Sequence, residues 1–384
     1  MTRAYAYGVL ALVALITFSV VPSLQAPDGH NFAAYYLIIL AGIGVLRIHW
    51  SIKLFVATCA ASCVWLQMMT ACVVPRELSV MFARLYISAN CDFQFVVIFA
   101  GLYAMFVYAK PEMETWLNFL AWVALIEVVR IACQRLGWDP FYVPVNLATS
   151  ITVAAGSQGN IGWSGAVLAM CTPAFLRRSH IWGLIPLGLA LYVENSLTPA
   201  LAAAGGILTY LLIAERGARR ATLVIMAVYA IGLYVVFVDS GDGGHRFAVW
   251  RRAADLSLHR ESWLLGYGLG SWMVLFPDGV HWFLRRAHND VLQVWFELGA
   301  MGIAALGCYA WFTISRFVRA RPWGRTDALG RVVRTKMQRD VLLAGSALVA
   351  ILLCSLGNFP FHTAGTAVIA VAWMGMFETT AHSS

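Results

Sequence analysis

The stretch 285-RRAHNDVLQVWFELGAMG-302 joins a polar segment to a long apolar run. It places Arg285, Arg286 and His288 directly before residues whose composition is typical of a membrane helix. Charged side chains are costly inside a bilayer. Charge at this boundary therefore needs an explanation, which the rest of the sequence has to supply.

The rest of the chain is also rich in apolar segments. Of its 384 residues, 60% are hydrophobic and only 12% are charged, and the mean hydropathy is +0.72. Soluble domains have about a quarter charged residues. Runs of about 17–25 apolar residues, the length that a helix needs to cross a bilayer, recur from end to end. The sequence therefore predicts an all-α, polytopic integral membrane protein and excludes a soluble globular domain.

About twelve membrane-spanning helices are predicted from these runs. The first could instead be a signal peptide, but its apolar run is long for one and a second hydrophobic segment follows almost at once. The seventh is short and adjoins the eighth through Glu194, Asn195 and Ser196, so these two could form one re-entrant unit. The approximate ranges are 4–22, 33–47, 54–74, 92–109, 114–134, 161–176, 181–193, 198–214, 221–239, 290–315, 341–357 and 363–378.

The distribution of basic residues predicts the orientation in the membrane. Five connections that fall on one side carry Lys and Arg, and the last of them is the arginine-dense segment 316–339. Cytoplasmic loops are rich in these residues, so this side and both termini are predicted to be cytoplasmic. The chain then divides into an N-terminal bundle of about nine spans (1–239), a long extracytoplasmic loop (240–289) and about three C-terminal spans (290–384).

The extracytoplasmic loop is basic although the orientation does not require it. Two explanations remain open, a solvated face attracted to anionic headgroups and a site for an anionic substrate. Within the loop, 246-RFAVWRRAADLSLHR-260 has helical spacing that is typical of a helix lying in the membrane interface. Phe247, Trp250, Ala254 and Leu258 share one face, and Arg252, Asp255 and His259 lie on the opposite one.

The glycines of 266-GYGLG-270 do not form a dinucleotide fingerprint, because the spacing is wrong and no strand precedes them. They are expected to allow a tight re-entry of the backbone beside the site. The net charge of +8 is explained by topology and does not indicate a nucleic-acid partner. The scattered cysteines show no spacing typical of a zinc site.

Three ordered segments resemble the signature region of the O-antigen ligase and O-antigen polymerase superfamily. They are 246-RFAVWRRAADL-256, 265-LGYGLGSW-272 and 288-HNDVLQVWFELGAMG-302. The family has an Arg-x-x-x-Trp segment, a Gly-x-Gly-x-Gly turn and a His-Asn-x-x-Leu-Gln-x-x-x-Glu-x-Gly-x-x-Gly stretch that opens a membrane helix. Upstream, 156-GSQGNIGWSGAVLAM-170 matches at Gly156, Gly159 and Asn160, and the C-terminal segment 358–376 fits the last outward turn and final span. The chain departs at Leu197, where the family commonly has an arginine near the lipid diphosphate.

The resemblance implies a GT-C-like fold in the bacterial inner membrane, with a catalytic loop at 240–289 facing the periplasm. It implies an inverting glycosyltransferase, with no cofactor and no metal, that takes a glycan from undecaprenyl diphosphate to an acceptor hydroxyl. In a ligase the acceptor is lipid A core, and in a polymerase it is another lipid-linked glycan. A protein O-oligosaccharyltransferase is a third alternative. A transporter is an alternative of another class, but the internal repeat that transporters often have is not evident in this sequence.

The resemblance also gives the candidate site residues their roles. His288 is expected to take the acceptor proton, because imidazole titrates near neutral pH, although it could instead hold a phosphate oxygen or cap the helix. Arg246 is expected to stabilise the leaving diphosphate with its planar guanidinium. Glu297 is expected to pair with a neighbouring span, and Glu127 with Arg130. Substrate contacts are expected from Arg285, Arg286, Asn289, Gln293, Arg130 and Asn160.

Overall fold

The computed structural model describes residues 7–11, 13–14, 99–138, 161–177, 180–194, 197–214, 241–258, 263–272, 287–327, 332–358, 360–362 and 364–382. The side chains of 161, 241–247, 362, 364 and 382 lie outside this description. The predicted spans 33–47, 54–74 and 221–239 also lie outside the described residues.

Helices dominate the described ranges, and one short antiparallel hairpin pairs β1 (Arg325–Thr326) with β2 (Val332–Val333). Short 3₁₀ turns occupy Thr172–Phe175, Ile181–Gly183 and Pro360–His362. The helices are α1 (Phe99–Ala109), α2 (Met113–Arg135), α3 (Ile161–Cys171), α4 (Leu184–Glu194), α5 (Leu197–Ala214), α6 (Gly241–Leu258), α7 (Asp290–Ala320), α8 (Lys336–Gly357) and α9 (Ala364–His382).

Four of the described helices, α2, α5, α7 and α8, are long and apolar enough to cross a membrane. They coincide with the predicted spans 114–134, 198–214, 290–315 and 341–357. Two boundaries were wrong, because α7 continues to Ala320 and α8 already begins at Lys336. Both ends of the segment 316–339, predicted to be a loop, are therefore helix, at 316–320 and 336–339.

Helix α4 is shorter than a membrane span. Its 11 residues make it about 16 Å long. Even with the three-residue 3₁₀ turn Ile181–Gly183 before it, it stays below the roughly 30 Å of a bilayer core. Helix α4 is therefore too short to cross a bilayer core by itself, and the re-entrant alternative for α4 and α5 stays a prediction.

Helices α5 and α8 make the closest pair in the bundle. A Cβ atom on Gly206 would lie only 3.0 Å from the carbonyl oxygen of Ser346, and one on Gly205 would collide with Leu353. Small residues at such a contact let two helix backbones approach, which favours packing where lipid competes for apolar surface. Helix α8 is consequently the most buried of the four long apolar helices.

Aromatic side chains join α1, α2 and α9. The rings of Phe106 and Trp116 meet edge to face with centroids 5.3 Å apart, and those of Trp116 and Trp373 do so at 5.7 Å. The buried indole of Trp373 donates from Nε1 to the carbonyl oxygen of Met170 at 2.9 Å, which ties α9 to α3. A buried indole N–H needs such a partner.

Several helix ends meet at one end of the bundle, here called the mouth end. The side chain of Asn358, after α8, donates from Nδ2 to the carbonyl oxygen of Gly162 at the start of α3, at 2.7 Å. The backbone N–H of Phe361 faces the carboxylate of Asp290, the first residue of α7, at 3.5 Å. The mouth end therefore contains the starts of α3, α7 and α9 and the end of α8.

The opposite end of the bundle, here called the basic end, contains the end of α5 and the connection from α7 to α8. The guanidinium of Arg334 donates to the carbonyl oxygens of Ile213 and Ala214 at 2.7 and 2.9 Å. Arg316 forms an ion pair with Glu378 of α9 at 2.9 Å. The arginine-dense connection 316–339 and the end of α5 thus lie at one end of the bundle. The basic residues predicted just after α5 lie outside the described part of the chain.

Candidate functional site

The predicted site centres on the first residues of α7. Asn289 is the N-cap of this helix, and its Oδ1 accepts the backbone N–H of Leu292 at 2.9 Å. Asparagine is a preferred N-cap because its side chain satisfies a free helix N–H. Asp290 follows in the first turn, where a negative charge suits the positive end of the helix dipole. These two residues explain why the helix begins here.

His288 has an uncommon backbone conformation. Its φ is +52°, in the left-handed region that residues other than glycine rarely occupy. Such a conformation persists only where the surrounding structure holds it, and it occurs often at functional sites. His288 is half-buried, so its ring is partly open to solvent.

The residue before His288, Ala287, is held by both of its backbone polar groups. The backbone N–H of Ala287 donates to Oε1 of Gln293 at 3.2 Å. The carbonyl oxygen of Ala287 accepts the indole N–H of Trp250, on α6, at 2.6 Å. Since the cap at Asn289 holds the other side, hydrogen bonds flank His288 in both directions.

A buried chain of hydrogen bonds extends from the N–H of Ala287 into α7. The Nε2 of Gln293 donates to Oε1 of Glu297 at 3.1 Å, and the same oxygen accepts the backbone N–H of Trp272 at 3.3 Å. Gln293 is 1% exposed and Glu297 is 3% exposed. Both ends of the Gln293 amide are thus engaged within the protein, and its predicted substrate contact stays a prediction. Glu297 hydrogen-bonds along its own helix and to Trp272, and its expected pairing with a neighbouring span stays a prediction.

Helix α7 is interrupted at Gly299, where φ is +60° and ψ is −154°. At the break, backbone groups of α7 lose their hydrogen-bond partners within the helix, and the segment 264–268 supplies partners in their place. The carbonyl oxygens of Phe296 and Glu297 accept the N–H groups of Tyr267 and Gly268, each at 2.9 Å, and Met301 donates to the carbonyl oxygen of Leu264 at 3.1 Å. Non-helical backbone inside an apolar helix is tolerated where protein groups satisfy it in this way.

Glycine is required on both sides of this contact. A Cβ atom on Gly299 would lie 2.5 Å from the backbone nitrogen of Gly266, and one on Gly266 would lie 2.5 Å from that of Leu298. Gly266 also has φ +70°. Gly268 and Gly270 also have positive φ, and this segment lies against α7. The tight re-entry of the backbone beside the site stays a prediction.

Helix α6 packs on this assembly with a different face from the one predicted. Ala253 is fully buried and Ser257 is 3% exposed, whereas Leu258, expected on the packed face, is 63% exposed. The packed face is displaced by about one residue. Ala253 lies in a cluster with Trp272 and Phe296, and Val249 and Leu256 of α6 pack against this cluster. Arg251, Arg252 and Asp255 are exposed, and the predicted polar face is thus confirmed at Arg252 and Asp255. The helix spans Gly241–Leu258 instead of 246–260.

The structure brings together some of the predicted site residues. His288, Asn289 and Gln293 lie within two turns at the start of α7. Arg246 belongs to α6 by its backbone, while its side chain lies outside the described part of the chain. Arg130 lies on α2, one turn after the fully buried Glu127. Arg285, Arg286 and Asn160 are outside the described residues.

Three residues of the mouth end were not singled out from the sequence. Trp250 was assigned only to a helix face, yet its indole holds the peptide before His288. Asp290 is 6% exposed and faces the turn that precedes α9. Asn358 is 6% exposed and joins α8 to α3. A polar residue next to a long apolar run was the available signal for Asp290 and Asn358, but their partners are distant in sequence.

The position that departs from the family pattern, Leu197, is the first residue of α5. Just before it, the buried carboxylate of Glu194 accepts the hydroxyl of Ser164 on α3. Just after it, the hydroxyl of Thr198 donates to the carbonyl oxygen of Gly357 at 3.4 Å. The end of α4 and the start of α5 are therefore part of the mouth end.

Comparisons with known proteins add no identification, since no family model and no curated protein matches this chain. Among the residues that the structure describes, no three His, Cys, Asp or Glu side chains come together as a metal site. At the start of α7, the imidazole of His288 can accept a proton. The hydrogen bonds on both sides of His288 fix the backbone that carries this ring.

Proposed function

We propose that the protein is a membrane glycosyltransferase that moves a glycan from undecaprenyl diphosphate to an acceptor hydroxyl at the periplasmic face of the bacterial inner membrane. One observation supports this most. A half-buried histidine stands at the start of an apolar helix, in a left-handed conformation that hydrogen bonds hold on both sides. A fixed imidazole at this depth suits a reaction between a lipid-anchored donor and an acceptor hydroxyl at the membrane surface.

The proposed step is a displacement at the anomeric carbon. The acceptor oxygen forms a bond to this carbon while the bond to the diphosphate oxygen breaks, and the electron pair leaves with the diphosphate. The imidazole of His288 takes the proton from the acceptor hydroxyl. General-base help of this kind is worth about 10²–10⁴-fold in rate.

The leaving diphosphate requires cations, because its charge grows as the bond breaks. Arg251 and Arg252 are exposed on α6, beside the Trp250 whose indole holds the peptide preceding His288. The resemblance assigns the diphosphate contact to Arg246, on the same helix. Arginine binds phosphate oxygens bidentately and stays charged at any physiological pH. A basic helix anchored at the start of α7 supports binding of a diphosphate at this end.

The acceptor is proposed to be lipid A core, as in a ligase. A polymerase would use another lipid-linked glycan, and a protein O-oligosaccharyltransferase would use a protein hydroxyl. Deleting the gene and resolving the surface glycans on a gel separates these acceptors. Loss of a ligase leaves unsubstituted core, loss of a polymerase leaves core with a single repeat, and loss of a protein transferase leaves the core glycan unchanged.

A transporter is the second candidate, and the break in α7 is the observation that favours it. Transporters commonly bind substrate at interrupted membrane helices. The break at Gly299 is, however, closed by backbone hydrogen bonds from Leu264, Tyr267 and Gly268. Those bonds occupy the groups that a transported substrate would otherwise contact, so the transferase remains the first proposal.

The deciding experiment uses the purified protein in proteoliposomes with a polyprenyl-diphosphate-linked fluorescent glycan. Release of polyprenyl diphosphate, with appearance of glycosylated acceptor, is expected for wild type. His288→Ala should reduce the rate by about 100-fold or more. The matched control is His180→Ala, which changes a half-buried histidine just before the Ile181–Gly183 turn. Movement of intact donor or glycan across the vesicle membrane, without cleavage, would contradict the transferase proposal and support a transporter.

A further inference from the structure

The basic end of the bundle carries exposed cations that the proposed transfer reaction does not use. Arg319 lies in the last turn of α7, Arg321 follows that helix, Arg325 lies on β1, and Lys336 and Arg339 lie in the first turn of α8. All five side chains are exposed. These five residues are called the basic surface below.

The backbone that carries the basic surface is fixed in place. The guanidinium of Arg334 donates from Nε to the carbonyl oxygen of Pro322 at 2.8 Å and from a terminal nitrogen to those of Ile213 and Ala214. The hairpin β1–β2 closes the same connection. Arg334 thus ties the segment after α7 to the end of α5, so the cations are presented by a defined scaffold.

One of these cations occupies a position where arginine is unfavourable. Arg321 is the C-cap of α7 and has φ +49°, a left-handed conformation. Glycine is the usual residue for such a conformation at a helix end, since it has no Cβ atom. The chain keeps an exposed arginine there instead, which indicates that its charge is used.

Two more cations oppose a helix dipole. Lys336 and Arg339 lie in the first turn of α8, at the positive end of the dipole, and this turn has no acidic residue. Asp340 interacts with both and offsets part of their charge. A cluster of cations at the positive end of a helix dipole favours binding of an anion from outside the chain.

We propose that the basic surface binds the phosphate headgroups of anionic phospholipids, such as phosphatidylglycerol. Helices α5, α7 and α8 are apolar enough to cross a membrane, so their ends are expected at the depth of the headgroups. Clusters of Lys and Arg directly beside membrane helices attract anionic lipids. This binding is independent of the transferase function, because the basic surface lies at the end of α7 opposite to His288.

Native mass spectrometry of the purified protein, titrated with phosphatidylglycerol or with phosphatidylcholine, tests this proposal. Arg325→Gln should weaken phosphatidylglycerol binding about fivefold, the effect of roughly one unit of charge near a headgroup. Phosphatidylcholine binding should not change. The matched control is Arg135→Gln, since Arg135 is an exposed arginine on the last turn of α2. The first turn of α2 lies at the basic end, because Glu114 interacts with Asp340 of α8, so Arg135 lies at the opposite end.

Arg321→Gly separates lipid binding from folding. Because glycine suits the left-handed conformation, this variant should unfold at a higher temperature while it binds phosphatidylglycerol about fivefold more weakly. The proposal is overturned if Arg135→Gln weakens the lipid as much as Arg325→Gln does, or if phosphatidylcholine binds equally well. Displacement of the lipid by millimolar inorganic phosphate would also overturn it, because the site would then be one for free phosphate.

Discussion

The side chain of Gln293 accepts the backbone N–H of Ala287 at 3.2 Å and so ties the residue before His288 to the second turn of α7. The other end of the same amide donates to Glu297, which also accepts the N–H of Trp272. The backbone at His288 is therefore connected to the segment after α6 through two buried side chains. We regard Gln293 and Glu297 as positioning residues for the histidine.

Replacing Gln293 by alanine should leave the Ala287 N–H and one Glu297 oxygen with fewer partners. An unsatisfied buried donor costs about 1–3 kcal/mol, so a lower unfolding midpoint is expected. Because the histidine loses its orientation, kcat for glycan transfer should fall at least tenfold while KM for the donor stays unchanged.

The control for this prediction is Gln338→Ala. Gln338 also accepts a backbone N–H at a helix start, from Thr335 at 3.0 Å, but at the basic end of the bundle. Its loss should lower stability and leave kcat unchanged. Equal kcat values for the two variants, measured with purified protein at saturating donor, would remove the positioning role of Gln293.

The break in α7 can be tested with two glycines of the same helix. Gly299→Ala should be strongly destabilising, because the added Cβ would meet backbone atoms of Gly266 and Leu264 and the residue has φ +60°. Gly307→Ala places its Cβ in open space and should raise stability, since alanine favours helix by about 1 kcal/mol. Thermal unfolding in detergent measures both. Similar midpoints for the two variants would mean that α7 is not interrupted at Gly299.

The backbone conformation of His288 distinguishes two substitutions. Asparagine tolerates the left-handed region better than alanine does, so His288→Asn should be the more stable of the two by about 1 kcal/mol. Both variants should lose the proton-accepting imidazole and with it about 10²–10⁴-fold in rate. Parallel measurements of the unfolding midpoint and of transfer rate check this. An active His288→Asn enzyme would show that position 288 does not act as a general base.

The two ends of the bundle should label from opposite sides of the membrane. In a cysteine-free background, Asp255→Cys on α6 and Thr326→Cys on β1 both place a thiol at an exposed position. An impermeant maleimide added to spheroplasts should modify Asp255→Cys first and Thr326→Cys only after lysis. The reverse order would put the mouth end in the cytoplasm and exclude a periplasmic acceptor.

Hydropathy alone was sufficient to predict the helices whose environment is uniformly apolar. Helices α2, α5 and α8 follow this pattern, because a run of about 20 apolar residues has few alternatives to a helix in a membrane. The boundaries of α7 and α8 were less predictable. Ala320 and Lys336 extend both helices into basic sequence, since a charged side chain does not end a helix that has left the apolar region.

The interior of the site depended on partners that are remote in sequence. The sequence placed Gln293 near His288, but its bond to Ala287 requires the chain to turn left-handed at position 288. The break at Gly299 likewise depends on Leu264 and Gly268, which occupy a separate segment. The packed face of α6 was displaced because the small Ala253, flanked by Val249 and Leu256, lies in the cluster with Trp272 and Phe296. Hydrophobic periodicity identifies bulky faces and overlooks small residues that permit close contact.

Photo-crosslinking with a polyprenyl diphosphate that carries a diazirine beside the diphosphate tests the central claim most directly. After irradiation of the purified protein and peptide mapping, the label should fall on residues 246–252 and 285–293, and excess unlabelled donor should abolish it. Label that concentrates at 319–339, or that excess donor does not displace, would contradict a diphosphate site at the start of α7.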